Sequence, residues 1–351
     1  MSVSEGTVVT SRIRLARNLS GYPFASRLTS KSLAREIIAR TYFYADKYRK
    51  FKLTEIDKIS PLFAERLKER YVISEALKNN RFSGAAITCD DDAFSIMINE
   101  EDHIRQQRLE KGFNLKKAYD EIYPLDRWLD KNLKFAKNDK LGYLTACPTN
   151  LGTGLRASCM MFLPGLTRRT MIGALLKKAQ AKGLTVRGVF GEGSEGESYL
   201  YQVSNEVTLG IPAEKIVSRV ENFVQEISEI ESTNLNIYYG ENEIETQDAA
   251  CRAAGILRSC RLLSFGECSR LISDLKIGAI LGVLKISDVT ALDDLLVTSR
   301  PACIKTELIT ERTGGLTDIT KADAESVKIS ENDENAYRAE FVKKSLNKIL
   351  I

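Results

Sequence analysis

The 351-residue sequence contains one histidine, His103, and one tryptophan, Trp128. A single imidazole excludes a multi-histidine metal centre within one chain, and it leaves acid–base work mostly to carboxylates, thiols or that one ring. The cysteines stand at 89, 147, 159, 251, 260, 268 and 303, with no C-x-x-C pair among them. A structural zinc site is therefore not expected, and an odd set without a regular framework suits a reducing cytoplasm. No apolar run approaches the roughly 20 residues needed to span a bilayer. The start, Met1-Ser2-Val3-Ser4-Glu5-Gly6, has neither the basic head nor the apolar middle of an export signal. A net charge of +4 is too small to favour a general nucleic-acid binder. No internal repeat or low-complexity tract is found. What remains is a globular composition, 43% hydrophobic and 28% charged, long enough for one large domain and a smaller one.

The chain is organised around Cys147-Pro148-Thr149-Asn150-Leu151-Gly152-Thr153-Gly154-Leu155-Arg156-Ala157-Ser158, a turn-rich stretch between strand-like runs at 141–146 and 158–163. Such loops, held by a scaffold, commonly carry chemistry. A strand is expected from Val8 to about Asn18. Arg12 and Arg14, two apart, then face one side. Two guanidinium groups on one face repel each other, so this is either a solvated face or a clamp for a polyanion. Helices are expected over 33–44, 62–77, 115–135, 166–182 and 336–350, with Pro124 splitting or kinking the third. Further strands are expected over 85–88, 94–99, 185–190 and 199–204. Trp128 reads as core packing. The strand at 94–99 runs into Asn99-Glu100-Glu101-Asp102-His103-Ile104-Arg105, which would put Glu101 near the middle of the domain. From about 236–245 the strand signals fade and helical periodicity takes over.

Three familiar patterns fail on inspection. Gly152-Thr153-Gly154-Leu155-Arg156-Ala157 fits a loose dinucleotide fingerprint, but no acidic residue stands about 20 positions further on. Gly191 to Gly196 has P-loop spacing, but Glu197 stands where the phosphate-binding lysine belongs. A Ser-His-Asp triad would need His103, which lies among acids without a nucleophile elbow.

Five arginines, Arg12, Arg14, Arg105, Arg156 and Arg187, stand near strand ends or loops. Their forked donors suit a nucleotide polyphosphate. Glu101 and Glu192 suit a planar nitrogen-rich cation such as a guanidinium. The runs Ser11-Arg12-Ile13-Arg14-Leu15-Ala16-Arg17-Asn18, Asn99 to Arg105, Cys147 to Thr153, and Arg187-Gly188-Val189-Phe190-Gly191-Glu192 together resemble the phosphagen (ATP:guanido) kinase family, over roughly residues 8–305. The closest resemblance is to the bacterial branch that phosphorylates arginine side chains of proteins. It implies an α+β catalytic domain over 1–238, a large antiparallel β-sheet flanked by helices. A smaller helical domain over 239–351 would follow, serving dimerisation and recognition of substrate or phosphoarginine. It implies ATP, with Mg2+ carried by the nucleotide. Thr10, Ser11, Arg12, Ile13 and Arg14, Arg105, the stretch Arg156, Ala157, Ser158, Cys159 and Met160, and the stretch Arg187, Gly188, Val189, Phe190, Gly191 and Glu192 would line the nucleotide. Glu101 matches the catalytic base, Glu192 the second carboxylate and Cys147 the thiol beside the acceptor.

By the same resemblance the partners are proteins bearing exposed arginine, an activator protein, Clp protease components and a second copy of the chain; neither nucleic acid nor membrane is implied. Small-molecule members of the family carry an additional helical domain before the position of Arg12; its absence here implies an open acceptor pocket and a protein substrate. A kinase of free arginine and an inactive adaptor are the competing readings. Two departures stand out: Glu334-Asn335-Ala336-Tyr337-Arg338-Ala339 keeps only Arg338 and Ala339 of the branch's phosphoarginine-reading motif, and Tyr71 stands for a nucleotide-contacting histidine.

Overall fold

The computed structural model describes residues 6–89, 92–188, 199–322 and 328–350. Ten strands are assigned: β1 (Val8–Arg17), β2 (Lys52–Glu55), β3 (Ala85–Thr88), β4 (Phe94–Ile98), β5 (Ile104–Lys111), β6 (Lys137–Asn138), β7 (Gly142–Tyr143), β8 (Leu155–Phe162), β9 (Leu184–Gly188) and β10 (Leu200–Asn205). Eight of them form one sheet in the order β2-β3-β4-β5-β1-β8-β10-β9. Every pairing in it is antiparallel. The strands β6 and β7 make a separate two-stranded ribbon. The sequence dictates this through period-two alternation: along β1, Ser11, Ile13 and Leu15 are buried while Arg12 and Arg14 are half-buried.

The helices are α1 (Lys31–Tyr48), α2 (Pro61–Glu69), α3 (Glu75–Asn79), α4 (Leu115–Leu133), α5 (Pro164–Arg168), α6 (Ile172–Ala181), α7 (Ala213–Glu241), α8 (Glu243–Ser259), α9 (Phe265–Ile280), α10 (Thr290–Thr298), α11 (Pro301–Arg312) and α12 (Glu331–Ile349). Their starts follow capping chemistry. Ser30, Ser60, Ser74, Ser264 and Ser330 each accept a backbone N–H of the first turn, and Ser330 forms a capping box with Asp333.

The largest apolar cluster packs one face of the sheet, through Ile13, Leu15 and Ala157, against α1, α4 and α7. Among the described residues, the opposite face is covered only at its flanks. Beneath β3 and β4, Ala86 and Met97 pack on α2 and α3. Around Val9, Met160, Phe162 and Leu200 the sheet packs on α8, α9, α10 and α12. A groove lined by charge is left between these two coverings. No helix is long and apolar enough to cross a membrane among the described residues.

Several element boundaries differ from the sequence expectation. The helix expected over 62–77 is two helices, α2 and α3, separated at Tyr71, whose φ is +61°. The helix expected over 166–182 breaks between α5 and α6 at Thr170, φ +54°. A left-handed residue cannot continue a right-handed helix. The strand expected over 141–146 is only Gly142–Tyr143. Pro124 does not split α4, which is continuous over Leu115–Leu133. The proline lies on the exposed side, where water satisfies the carbonyl it leaves without a donor. Trp128 packs against the core with its indole N–H on the Tyr44 carbonyl at 2.9 Å.

Candidate active site on the open face of the sheet

The register places the arginines. Arg14 stands directly opposite Arg156 across β1 and β8, and Arg12 opposite Ser158. On the other side of β1, Arg14 stands opposite Gln107, two residues along β5 from Arg105. Arg187 pairs with Gln202, which pairs in turn with Met160, two residues along β8 from Ser158. Cross-strand partners share a face, as do residues two apart. The five arginines therefore project from one face, across four strands. Arg12 Nη2 donates to Gln202 Oε1 at 3.1 Å and Arg156 Nη2 to Ser204 Oγ at 3.0 Å.

This concentration of like charge is under-compensated. Nε of Arg14 and Nε of Arg156 are buried with no hydrogen-bond partner among the described residues. Burial, then the neighbouring Arg105 and Arg156 guanidiniums, lower the Arg12 pKa to about 10. Arg14 is lowered well below its ordinary value by burial and by Arg12, Arg105 and Arg156. Arg156 is lowered by burial, then by Arg187 and Arg105, with Glu206 acting weakly in the opposite sense. Orphaned buried donors and mutual repulsion are what an absent polyanion would relieve, so the residues fit a bound triphosphate.

The turn after β4 forms one end of the row. Asn99 takes φ +56° there. Successive side chains then part company: Glu100 turns inward and Glu101 is exposed. Arg105 Nη1 donates to both Glu100 oxygens, at 2.9 and 2.6 Å, and Ser74 donates to the same carboxylate. Burial raises the Glu100 carboxyl, but Arg105 and Ser74 pull it below its ordinary value. Glu100 was passed over in the sequence; the alternation of two adjacent carboxylates was the available signal that one must turn inward.

Asp102 fastens this turn to the central loop. Its buried Oδ1 accepts from Asn18 Nδ2 at 2.6 Å and from the Ala146 backbone N–H at 2.7 Å. Glu101 and Cys147 each follow or precede one end of that bond by a single residue. The half-buried Cys147 has its Sγ 2.9 Å from Thr149 Oγ1. The glycines of the loop are required by close approach. A Cβ on Gly154 would meet Ala16 O at 2.6 Å, and one on Gly152 would meet Thr208 O at 2.6 Å.

His103 is a scaffold residue. Its Nδ1 accepts the Leu19 N–H at 3.1 Å, so Nε2 carries the proton and donates to Pro23 O at 2.7 Å. Burial lowers its pKa, which keeps the ring neutral. Thr10, Ser158 and Met160 share the arginine face, whereas Ser11, Ile13, Ala157 and Cys159 turn their side chains to the packed face. Ser11 Oγ there donates to Gly112 O, and Cys159 is fully buried. Gly188 ends β9. Val189, Phe190, Gly191 and Glu192 lie outside the described residues.

A cavity of about 420 Å³ opens from the Arg12 end of the row, lined by Thr10, Arg12, Ser158, Met160 and Gln202 of the sheet and by Tyr71 of the break between α2 and α3. Tyr71 accepts a hydrogen bond from Arg300 Nη2 at 2.6 Å.

Residues 34–234 match the family described as ATP:guanido phosphotransferase, C-terminal catalytic domain. The chain belongs to the ATP:guanido phosphotransferase family. Residues 243–350 match a second family, the protein-arginine kinase McsB C-terminal domain. A protein-arginine kinase of Clostridium kluyveri is 38% identical over 344 residues, covering 97% of this chain and 95% of the relative. One from Clostridium novyi is 35% identical over 351 residues, covering 99% and 97%. Among solved structures, the duplicated taurocyamine kinase of Schistosoma mansoni superposes with a TM-score of 0.60 at 27% identity. That match covers 66% of this chain and 34% of the kinase, so the chain spans about a third of that longer protein. As a member of the ATP:guanido phosphotransferase family, the protein is an ATP-dependent phosphotransferase acting on a guanidino nitrogen.

The C-terminal segment that departs from the branch motif is packed inside the helical part. Arg338 is fully buried and donates to Ser299 O at 2.8 Å, Leu263 O at 2.9 Å, Asn335 Oδ1 at 2.7 Å and the Glu334 carboxylate. Lys305 stands 3.2 Å from the other Glu334 oxygen. Four of the five guanidinium N–H donors are thus already taken by the chain's own acceptors.

Proposed function

We propose that this chain transfers the γ-phosphoryl group of ATP to the guanidinium of arginine side chains in proteins. The observation that carries the reading is the row of under-compensated arginines ending at the turn that holds Glu101 beside the Cys147 loop. In this reading the nucleoside lies at the Thr10–Arg12 end, the phosphates along Arg12, Arg14, Arg156 and Arg105, and the acceptor at Glu101 and Cys147. Arg187 would close the row from β9. Magnesium would ride on the phosphates, as it commonly does in phosphoryl transfer.

Glu101 would accept a proton from the attacking guanidinium nitrogen as the N–P bond forms and the bond to the ADP oxygen breaks. Arg14 and Arg156, each with a buried Nε that no described residue satisfies, would take up charge on the transferring oxygens. Cys147, as a thiolate, would balance the cationic acceptor. Glu192 would supply the second acceptor-holding carboxylate. An acceptor attached to a polypeptide is supported by the exposed position of Glu101 and by likeness to protein-arginine kinases along nearly the whole chain. Delivery of the marked proteins to Clp-type proteolysis, an activator protein, a homodimer and the division at about residue 238 belong to the same proposal and rest on that likeness.

The test is incubation with ATP, magnesium and an equal mixture of free arginine and an arginine-rich protein, followed by mass spectrometry under conditions that protect the acid-labile N–P bond. Phosphate is expected on protein arginine. Phosphate on free arginine alone would replace this reading with a small-molecule kinase.

A further inference from the structure

The cavity beside Arg12 draws its walls from two parts of the chain. One wall is the sheet face. The other is α10 and the turn into α11, through Leu296, Val297, Thr298 and Arg300. These residues come from the helical part, beyond the end of α7.

That second wall is pinned from every side. At its base, Lys276 of α9 donates to both oxygens of Asp293 of α10, at 2.7 and 2.8 Å, and the lysine side chain is 2% exposed. At the mouth, Asp294 pairs with Lys111 of β5. At the far end, Arg300 donates to the Glu69 carbonyl at 3.2 Å and to the Tyr71 hydroxyl, with its guanidinium 4.9 Å from the Tyr71 ring. Glu69 in turn accepts the backbone N–H groups of Ala302 at 3.1 Å and Cys303 at 3.0 Å, capping the start of α11.

A wall fixed this firmly beside a void is a shaped surface. The void has the size of a small-ligand site, and apolar side chains face it from both walls: Val9, Leu109 and Leu200 from the sheet, Leu296 and Val297 from α10. A flat heteroaromatic base suits a slot of this kind. Its polar exit is Arg12, the first member of the phosphate-gripping row. A nucleoside whose phosphates lie along the arginines can enter this adjoining cavity.

We infer that α10 and the α10–α11 turn form one wall of the nucleoside end of the nucleotide site, so that residues of the helical part set nucleotide affinity; the inference rests on the nucleotide reading given above. Catalytic and helical parts are then coupled without any long-range signal. Whatever shifts α10 changes how well the nucleoside is held, and a bound nucleoside resists that shift.

The experiment compares ADP with inorganic tripolyphosphate, which needs the arginines and not the cavity. Binding is measured by calorimetry on the full chain and on the variants Val297→Trp, Thr298→Phe and Arg12→Ala, with circular dichroism as the fold control. Filling the slot with an aromatic ring should weaken ADP binding by about tenfold or more. Tripolyphosphate affinity should stay within about twofold in the two α10 variants, because the arginine row is unaltered. Arg12→Ala should weaken both ligands. If folded Val297→Trp and Thr298→Phe bind ADP as the wild type does while Arg12→Ala does not, the α10 wall is wrong and the nucleotide reading survives. If they lose ADP and tripolyphosphate equally, the effect is general damage to the site and the inference is also overturned. If the wild type binds neither ligand, the nucleotide reading itself falls. Should Val297→Trp fail to fold, Thr298→Phe carries the comparison.

Discussion

Arg14 faces Arg156 across the strand pair, and its guanidinium is held well below its ordinary pKa by burial and three neighbouring arginines. The fold therefore disfavours its charged form, and at neutral pH that charge subtracts from stability. Function and stability pull in opposite directions at this position. Arg14→Met should raise the thermal midpoint of the ligand-free protein, by about 1–2 °C per kcal/mol recovered in a chain of this size. The same change should lower phosphoryl transfer by about a hundredfold or more, through loss of charge-assisted donors. Differential scanning calorimetry and steady-state kinetics on one preparation check both halves; a variant that is both less stable and fully active contradicts the assignment. Glu101 and Glu100 divide the work of two adjacent carboxylates. Glu101, exposed at the turn, is the proposed base, and Glu100 is spent on Arg105 and Ser74. Glu101→Gln should cut kcat by about two to four powers of ten while leaving the KM for ATP within about threefold. An unchanged kcat would move the base elsewhere.

At the scale of elements, what the sequence disclosed was whatever obeys a local period. The alternation in β1 placed Arg12 and Arg14 on one face, and the all-apolar β4 marked the sheet interior that ends at Glu101. Contacts between distant segments were not legible. The breaks at Tyr71 and Thr170 are backbone events in residues that carry no turn signature of their own. The wall that α10 adds to the cavity depends on packing of segments nearly 300 residues apart. Arg17 illustrates the same point. It lay in a motif rich in arginine, yet it is turned away from the groove and buried against Asp126 of α4, with a second donation to Thr153 O and its guanidinium 3.6 Å from the Tyr143 ring centre. Gln106 donates to the same carboxylate at 2.5 Å. This pair joins β1, α4 and the Cys147 loop, so Asp126→Ala strands a buried charge at their junction. A loss of about 3–5 kcal/mol is expected in urea denaturation, the usual cost of removing one partner of a buried ion pair. A loss below about 1 kcal/mol, the worth of a surface pair, would mean that water reaches Arg17.

At the scale of the whole molecule, the described residues bound the open face of the sheet with two apolar clusters. One holds α2 and α3 beneath β3 and β4; the other holds the helical part against Val9, Met160, Phe162 and Leu200. The groove between them gathers like charge and calls for counter-charge beyond the Glu100 carboxylate that holds Arg105. A ligand that bridges arginines and cavity supplies that counter-charge and touches both flanks at once. ADP at about 100 times its Kd should therefore add about 2.7 kcal/mol to the stability of the folded state. The distribution of that gain is the informative quantity. If the nucleotide met the sheet alone, amide exchange would slow in β1, β8 and β10 and nowhere in the helical part. Because α10 and the α10–α11 turn stand across the cavity from Thr10 and Met160, slowing is expected there as well, together with residues 69–71, which hold Arg300 and cap α11. The amides of α8, none of whose residues line the cavity, should change least. Hydrogen exchange read by mass spectrometry separates the two patterns in one experiment. Salt adds an independent check, since binding through several guanidinium groups should weaken steeply between low and physiological ionic strength.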